Sequence, residues 1–95
     1  MVAYVVVFRE RSIDRSYIAD YLSRATAISD EHGLVILAQN GRQDVREGDP
    51  VEGVTILKFP SYEAAQRWYD DPRYQEALAI RRKAGEYHCV IVEGV

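Results

Sequence analysis

Four short apolar runs along the chain predict its β-strands. They lie at Ala3–Phe8, Leu34–Ala38, Val54–Phe59 and Tyr87–Val92. Each run is too short for a stable helix, and its β-branched and aromatic residues favour a strand. The first and second runs, and Cys89–Val92 of the fourth, are apolar at both odd and even positions, so both faces of these strands require cover.

The segment between Ser12 and His32 predicts the first helix, because its apolar residues recur every three or four positions. Ser12 or Asp14 can cap its start, and Gly33 supplies the left-handed residue that commonly ends a helix. The apolar residues expected on its inner face are Ile13, Tyr17, Ile18, Tyr21, Leu22, Ala25 and Ile28.

A strand-to-helix junction at Pro60 predicts the second helical segment. Ser61 follows the proline and can accept hydrogen bonds from the first free amides of a helix. Asp71 and Pro72 then supply a second cap and first turn, so a further helical stretch starts there and can close at Gly85. The positions expected to face inward are Ala65, Trp68, Tyr69, Tyr74, Ala77 and Leu78.

The order of these elements is β-α-β-β-α-β, which is the order of the ferredoxin-like α+β fold. We expect one domain over residues 1–95, with both helices on one face of a four-stranded antiparallel sheet. Strand two is expected to bend or bulge at Gln39–Gly41, and the polar segment Arg42–Gly53 to contain turns and at most a brief continuation of that strand. Because the helix-free face is apolar, we predict that it packs against a second copy of the chain as a homodimer.

Composition limits the partners that are expected. The chain has 12 basic and 15 acidic residues in 95, and its net charge of −3 is spread along the sequence. It has no basic stripe, so nucleic acid is not an expected partner. The lone Cys89 cannot form an internal disulfide, and no apolar run approaches the roughly 18 residues of a membrane-spanning helix. These features predict a reduced, soluble, cytoplasmic protein with no membrane partner.

Several short motifs together point to one protein family. They are Ala3–Val7, Tyr17 with Tyr21, Glu47-Gly48-Asp49, Phe59-Pro60-Ser61, Ala65, Trp68, Tyr69, Tyr74-Gln75, Arg81 and Val92–Val95. In these motifs the chain resembles the domain-of-unknown-function family 1330, whose members have the dimeric α+β barrel fold. The resemblance implies that fold and a homodimer, and it leaves the activity open. The chain departs from its relatives at Gly33-Leu34, where they tend to have Gly-Gly, and at Gln39-Asn40-Gly41, where they tend to have Arg-Gly.

Arg81 is the leading candidate for ligand binding. It lies on the same inward stripe as Tyr74 and Leu78, at the edge of the expected core. A guanidinium there could hold a ligand carboxylate through two hydrogen bonds. The alternative, which is the commoner outcome for an interior charge, is that the stem packs on apolar surface while the head pairs with Glu93 or Glu47.

Four further residues are candidate ligand contacts: Tyr17, Tyr21, His32 and Asn40. The two tyrosines are one turn apart on helix one, which covers the space between helix and sheet. An unperturbed imidazole can move a proton near neutral pH, which makes His32 a candidate, but its place at a helix end is also explained by the helix dipole. Asn40 lies in the segment where relatives have the Arg-Gly pair. His88 is interpreted as an interface or solvent-facing residue.

No metal or other cofactor is expected. The histidines and the cysteine lack the spacing of a metal site, and the chain has no glycine-rich phosphate loop. Related barrels include haem-using proteins, but a lone histidine is weak evidence for an axial ligand. Trp68 and Tyr69 are interpreted as packing residues, because helical spacing alone explains their placement.

Two hypotheses about function remain open. The first is a homodimer that binds a small, partly aromatic or anionic metabolite near Tyr17, Tyr21 and Arg81, with cofactor-free oxygenase or isomerase chemistry suggested by analogy of fold. The second is a non-catalytic ligand-binding or assembly module, because no convincing set of acid, base and nucleophile is present. A cavity bordered by Arg81 and the tyrosines would favour the first hypothesis.

Overall fold

Seven regular elements and two short 3-10 turns make up the fold. The computed structural model describes residues 1–95. The turns are Arg15–Tyr17 and Asp30–His32, one on each side of the first helix. In chain order the elements are β1 (Ala3–Ser12), α1 (Ile18–Ser29), β2 (Val35–Gln39), β3 (Gly53–Phe59), α2 (Tyr62–Asp70), α3 (Pro72–Ala84) and β4 (Gly85–Glu93).

The four strands form one antiparallel sheet in the order β2-β3-β1-β4. Val5 in the central strand pairs with Leu57 on one side and with Ile91 on the other. Its side chain is fully buried in the same apolar cluster as Trp68 and Leu78 of the helices. This arrangement confirms the predicted ferredoxin-like α+β fold with its helices on one face.

Local capping residues set the helix boundaries of the second helical segment. Ser61 Oγ accepts a hydrogen bond from the amide of Ala64 at 3.0 Å. Asp71 Oδ1 accepts one from the amide of Arg73 at 2.9 Å. Pro72 occupies the first turn of α3, where its missing N–H is not needed. The caps were therefore predicted correctly, and they divide this segment into two helices, α2 and α3.

The first helix is shorter than predicted. It begins at Ile18, after a 3-10 turn whose N-cap is Asp14 rather than Ser12. Asp14 accepts a hydrogen bond from a backbone amide two residues later, which a capping carboxylate does well at such a turn. Gly33 follows the second 3-10 turn with φ of 69°, which confirms the predicted left-handed end.

The inner face of α1 is less buried than its sequence pattern predicts. Ile28 is buried, whereas Ile13, Tyr17 and Leu22 are exposed. Ile13 and Tyr17 precede α1, and Leu22 is exposed because α1 packs mainly against α3 instead of lying directly on the sheet. Space therefore remains between α1 and the strands.

No helix of the chain has the length and apolar character needed to cross a membrane.

Strand β1 continues beyond the predicted end at Phe8. Its charged extension pairs with β4 through a register shift between Arg9 and Arg11. The backbones approach closely at this end, because a Cβ on Gly85 would lie 2.5 Å from the carbonyl oxygen of Arg11. Gly85 thus follows the end of α3 and begins β4. Any residue larger than glycine at this position would displace the backbone of Arg11.

Strand β2 is irregular earlier than predicted. Its register against β3 shifts between Ile36 and Ala38, before the expected bulge at Gln39–Gly41. Asn40 then adopts φ of 53°, a left-handed conformation that asparagine tolerates, and turns the chain out of the strand. Residues 41–52 form no helix or strand, so strand two does not continue.

The helix-free face of the sheet is largely apolar, as predicted. The strand registers place on it Tyr4, Val6, Phe8, Val35, Val54, Ile56, Lys58, His88, Val90 and Val92. Val35, Val90 and Val92 are 49%, 41% and 47% exposed in the single chain. An apolar surface of this extent on a sheet marks an interaction site more often than a solvent-facing surface.

Candidate functional site

A cavity of about 240 Å³ lies between α1 and the helix-covered face of the sheet. It exists because α1 packs on α3 and leaves the strands beneath it uncovered. Pockets for drug-sized ligands measure about 300–1,000 Å³, so this cavity suits a smaller molecule. Its wall is mostly apolar and includes no carboxylate or imidazole. The polar side chains in the wall are Arg9, Tyr21, Thr26, Ser29, Gln39, Asn40, Thr55, Arg81 and Tyr87.

Arg81 brings a buried positive charge to this cavity. It lies on the inward face of α3, and only 6% of its surface is exposed. Its Nη1 donates a hydrogen bond to the Tyr74 hydroxyl at 3.3 Å, and its guanidinium carbon lies 4.6 Å from the centre of the Tyr87 ring. None of the ion pairs of the chain includes Arg81, so the alternative pairing with Glu93 or Glu47 does not occur.

Three buried N–H groups around the cavity have no hydrogen-bond partner. They are Nε of Arg9, Nε1 of Trp68 and Nε of Arg81, and no other buried side-chain polar atom of the chain lacks a partner. All three residues belong to the cavity wall. A buried donor without an acceptor costs about 1–3 kcal/mol, and a molecule that accepts hydrogen bonds from these residues would offset that cost.

A pair of tyrosine hydroxyls connects Arg81 to α1. The Tyr74 hydroxyl, which accepts from Arg81, lies 2.7 Å from the hydroxyl of Tyr21. Tyr74 is fully buried, whereas Tyr21 reaches the cavity wall. Burial raises the pKa of Tyr74 far above its ordinary value, and the Tyr21 hydroxyl acts in the same direction. Tyr74 therefore stays protonated and retains a proton to donate.

Arg9 and Asn40 also belong to the wall, and Gly53 makes room for both. A Cβ on Gly53 would overlap the Asn40 side chain and lie 3.1 Å from Arg9 Nη2. Arg9 donates to the backbone oxygen of Glu52 at 3.3 Å, and its Nε is 3.8 Å from the Glu52 carboxylate. That carboxylate is held more closely by the amide and hydroxyl of Ser12, at 2.9 and 2.6 Å. Arg9 is thus only partly neutralised.

The structure brings three of the five predicted ligand contacts to one cavity. Arg81, Tyr21 and Asn40 are in the wall. Tyr17 is outside it, in the 3-10 turn before α1, with its ring 5.6 Å from the Lys83 ammonium. His32 is also outside it, at the α2–α3 junction, where its Nε2 lies 3.0 Å from Asp71 Oδ2.

The wall residues that were not predicted as ligand contacts include Arg9, Trp68 and Tyr87. Arg9 continues the alternation of Val5 and Val7 on the helix-covered face of β1, and this was the available signal. Trp68 was correctly predicted as a core residue, since it is 2% exposed. Its unpartnered indole N–H, however, depends on tertiary packing that no spacing rule describes.

His32 belongs to a separate polar cluster on the surface. Its Nε2 lies 3.0 Å from Asp71 Oδ2, and Glu31 is close enough for the three to form a potential metal-ligand set. Arg73 already binds both carboxylates of this set. Its guanidinium donates to the Glu31 carboxylate, and its Nη2 donates to Asp71 Oδ2 at 2.8 Å. Hydrogen bonds from Arg73 first and His32 second hold the pKa of Asp71 well below its ordinary value. The cluster is an internally satisfied ion-pair network.

The wall of the cavity can supply donors and positive charge, but it has no evident general base. Its hydroxyl groups include Ser29, which already donates to backbone oxygens of α1. Cys89 is near Arg81 but outside the wall, and burial raises the pKa of its thiol despite the opposing effect of Arg81. Stabilisation of an oxyanion is the chemistry that these groups support.

The family comparison agrees with the geometry of the fold. The model of the family described as "Domain of unknown function (DUF1330)" matches residues 2–95. The chain belongs to the DUF1330 family. This confirms the resemblance that the sequence motifs indicated. No curated protein matches the chain.

Solved structures of similar fold come from several bacteria. A dimeric ferredoxin-like protein of unknown function from Jannaschia sp. CCS1 is 16% identical, with a TM-score of 0.76 over 99% of this chain and 100% of that one. A protein of unknown function from Rhodopseudomonas palustris is 18% identical, with a TM-score of 0.72 over 99% and 82%. SnoaB from Streptomyces nogalater, a cofactor-independent oxygenase, is 16% identical, with a TM-score of 0.66 over 99% and 92%. At these identities the likeness shows the shared fold.

Proposed function

We propose that this DUF1330 protein binds a small metabolite in the cavity. The metabolite has a partly aromatic body and carries an oxyanion. The observation that supports the proposal is a mostly apolar cavity whose wall includes Arg9, Trp68 and Arg81, the three residues of the chain with a buried N–H group that has no hydrogen-bond partner. The apolar wall accommodates the body of the ligand, and the donors accommodate the anionic group. The guanidinium of Arg81, which has no carboxylate partner in the chain, is the expected anchor.

Cofactor-free oxygenase or isomerase chemistry is the enzymatic version of this proposal. Donors that stabilise an enolate or phenolate would serve either reaction, and SnoaB shows that a protein of this fold can be a cofactor-independent oxygenase. The alternative is a ligand-binding module without turnover. It is favoured by one observation, the lack of a carboxylate or imidazole in the wall that could act as a general base.

The second part of the proposal is a cytoplasmic homodimer formed through the helix-free face. Val35, Val90 and Val92 are each more than 40% exposed on that face, and burial of such area stabilises an association. The Jannaschia relative is described as dimeric and ferredoxin-like. The cytoplasmic location rests on Cys89, the only cysteine, which cannot form an internal disulfide.

Titration calorimetry with benzoate and with benzyl alcohol tests the proposed binding. The two probes have the same ring, but only benzoate carries a charge. We expect benzoate to bind at least tenfold more tightly than the alcohol, and to lose this advantage in Arg81→Met. Arg82→Met is the matched control, because Arg82 neighbours Arg81 on α3 but is exposed. Equal affinity for both probes, or equal loss in the two variants, would contradict the proposal.

A further inference from the structure

The hydrogen-bond chain behind the cavity has a fixed direction. A guanidinium can only donate, so the Tyr74 hydroxyl must accept from Arg81 Nη1. Tyr74 is 0% exposed, and its only other partner is the hydroxyl of Tyr21 at 2.7 Å. If its own proton did not point to Tyr21, it would be buried without an acceptor at a cost of about 1–3 kcal/mol. Tyr74 therefore donates to Tyr21.

This direction leaves the proton of Tyr21 without a partner in the chain. Tyr21 accepts from Tyr74, and its own hydroxyl makes no other hydrogen bond, although its side chain reaches the cavity wall. The Tyr21 ring also lies 5.6 Å from the Arg81 guanidinium carbon. Tyr21, whose proton has no acceptor in the chain, and Arg81, whose charge no carboxylate offsets, thus both belong to the cavity wall.

We infer that the cavity selects the ionised form of a phenol or enol, with Tyr21 as the donor to the oxyanion and Tyr74 as the residue that orients it. This inference rests on the proposed function and specifies its ligand class. A phenolate oxygen accepts hydrogen bonds from several donors at once, and it gains from the charge of Arg81, which no carboxylate offsets. A neutral hydroxyl lacks that electrostatic gain and must find an acceptor for its own proton.

Selection of the anion has a measurable consequence for the pKa of the ligand. If the site binds the phenolate more tightly than the phenol, the pKa of the bound ligand falls, and each tenfold preference lowers it by about one unit. The proton released on ionisation passes to the solvent, since the wall has no carboxylate or imidazole to receive it. No covalent step or co-reactant is involved.

The absorbance of 4-nitrophenol, whose phenolate and phenol forms absorb differently, measures this pKa in the presence of saturating protein. We expect the pKa of the bound probe to fall by at least about one unit with the wild-type protein. Tyr21→Phe should reverse most of this shift. Tyr74→Phe should reverse part of it, although Tyr74 does not belong to the wall, because Tyr21 then loses its fixed donor direction. Arg82→Met should leave the shift unchanged.

The outcomes distinguish this inference from the proposed function. If benzoate binds through Arg81 while the pKa of bound 4-nitrophenol is unchanged or raised, the inference is wrong and the anion site stands. If neither probe binds, the proposed function fails as well. A shift that persists in full in Tyr21→Phe would overturn the role of Tyr21. A shift that persists in full in Tyr74→Phe would overturn the orienting role of Tyr74. A residue that only supported the fold would not change the pKa of the bound probe.

Discussion

The guanidinium of Arg81 lies over the ring of Tyr87, with its central carbon 4.6 Å from the ring centre. The two residues come from α3 and β4, and both face the cavity. In the absence of a carboxylate, the face of the aromatic ring and the Tyr74 hydroxyl are what compensate this buried charge. The cation is thereby held next to the cavity, with its Nε buried and without a hydrogen-bond partner.

Tyr87→Leu is expected to lower the free energy of unfolding by about 1–2 kcal/mol, because it removes a desolvated cation–π contact and leaves the charge less compensated. Urea unfolding measures the change. Tyr17→Leu is the matched control, since Tyr17 is exposed and makes its cation–π contact with Lys83 at the surface. Similar losses of unfolding free energy in the two variants would show that the buried cation–π contact contributes no more to stability than the exposed one.

Arg81→Met is expected to leave the free protein as stable as the wild type, or to raise its free energy of unfolding by about 1 kcal/mol. Methionine replaces a desolvated charge with an apolar side chain of similar length, and such replacements are often neutral or stabilising. The same variant should lose benzoate binding. Urea unfolding without ligand gives the first value. A loss of several kcal/mol would instead show that Arg81 is mainly a structural residue.

The Asp71 network is expected to make stability depend on acidity. Hydrogen bonds from Arg73 and then His32 lower the pKa of Asp71 below its ordinary 3.8 in the folded state. A group with a depressed folded-state pKa contributes stability above its unfolded-state pKa and loses it as the pH falls through the folded-state value. Stability should therefore fall as the pH drops below about 4.

Asp71→Asn should weaken this acid dependence, because asparagine retains the capping oxygen but does not titrate. Urea unfolding at pH 6 and pH 3 gives the comparison. Glu31, whose pKa is also lowered by Arg73, should maintain part of the dependence in the variant. Asp70→Asn, one residue away and exposed, should behave as the wild type. An unchanged pH profile in Asp71→Asn would remove Asp71 as its origin.

Val90→Lys is expected to shift the proposed homodimer to monomer. Val90 pairs with Val6 across the helix-free face and is 41% exposed in the single chain, so a charge there would be desolvated on association. Sedimentation at micromolar concentration measures the mass. Val45→Lys is the control, because Val45 is similarly exposed but lies in the irregular segment after β2. A wild-type monomer at these concentrations would contradict the proposed association.

Local signals made most of the fold predictable. Ser61 and Asp71 cap the helices that follow them, and this chemistry is complete within a few residues of sequence. The order of elements and the apolar faces of the strands then leave few topologies, of which the ferredoxin-like one is the simplest. Arg81 was placed correctly on the inward face because helical spacing is also a local property.

Tertiary packing determined what the sequence pattern could not predict. The periodicity between Ser12 and His32 predicts that Ile13, Tyr17 and Leu22 face inward, but all three are exposed. Ile13 and Tyr17 precede α1, and Leu22 lines the cavity because α1 packs on α3 instead of on the sheet. That displacement creates the cavity. It also explains why Arg9 and Trp68 become wall residues with unpartnered donors, a state that depends on several elements at once.

A crystal structure with 4-bromobenzoate tests the central claim most directly, because anomalous scattering from bromine locates the ligand without ambiguity. We expect the ring between α1 and the sheet, with the carboxylate within about 3.2 Å of a guanidinium nitrogen of Arg81. Arg82→Met crystals should give the same result, and Arg81→Met crystals should show no bromine in the cavity. Bromine bound only at the surface of wild-type crystals, with the cavity holding nothing but water, would contradict the account.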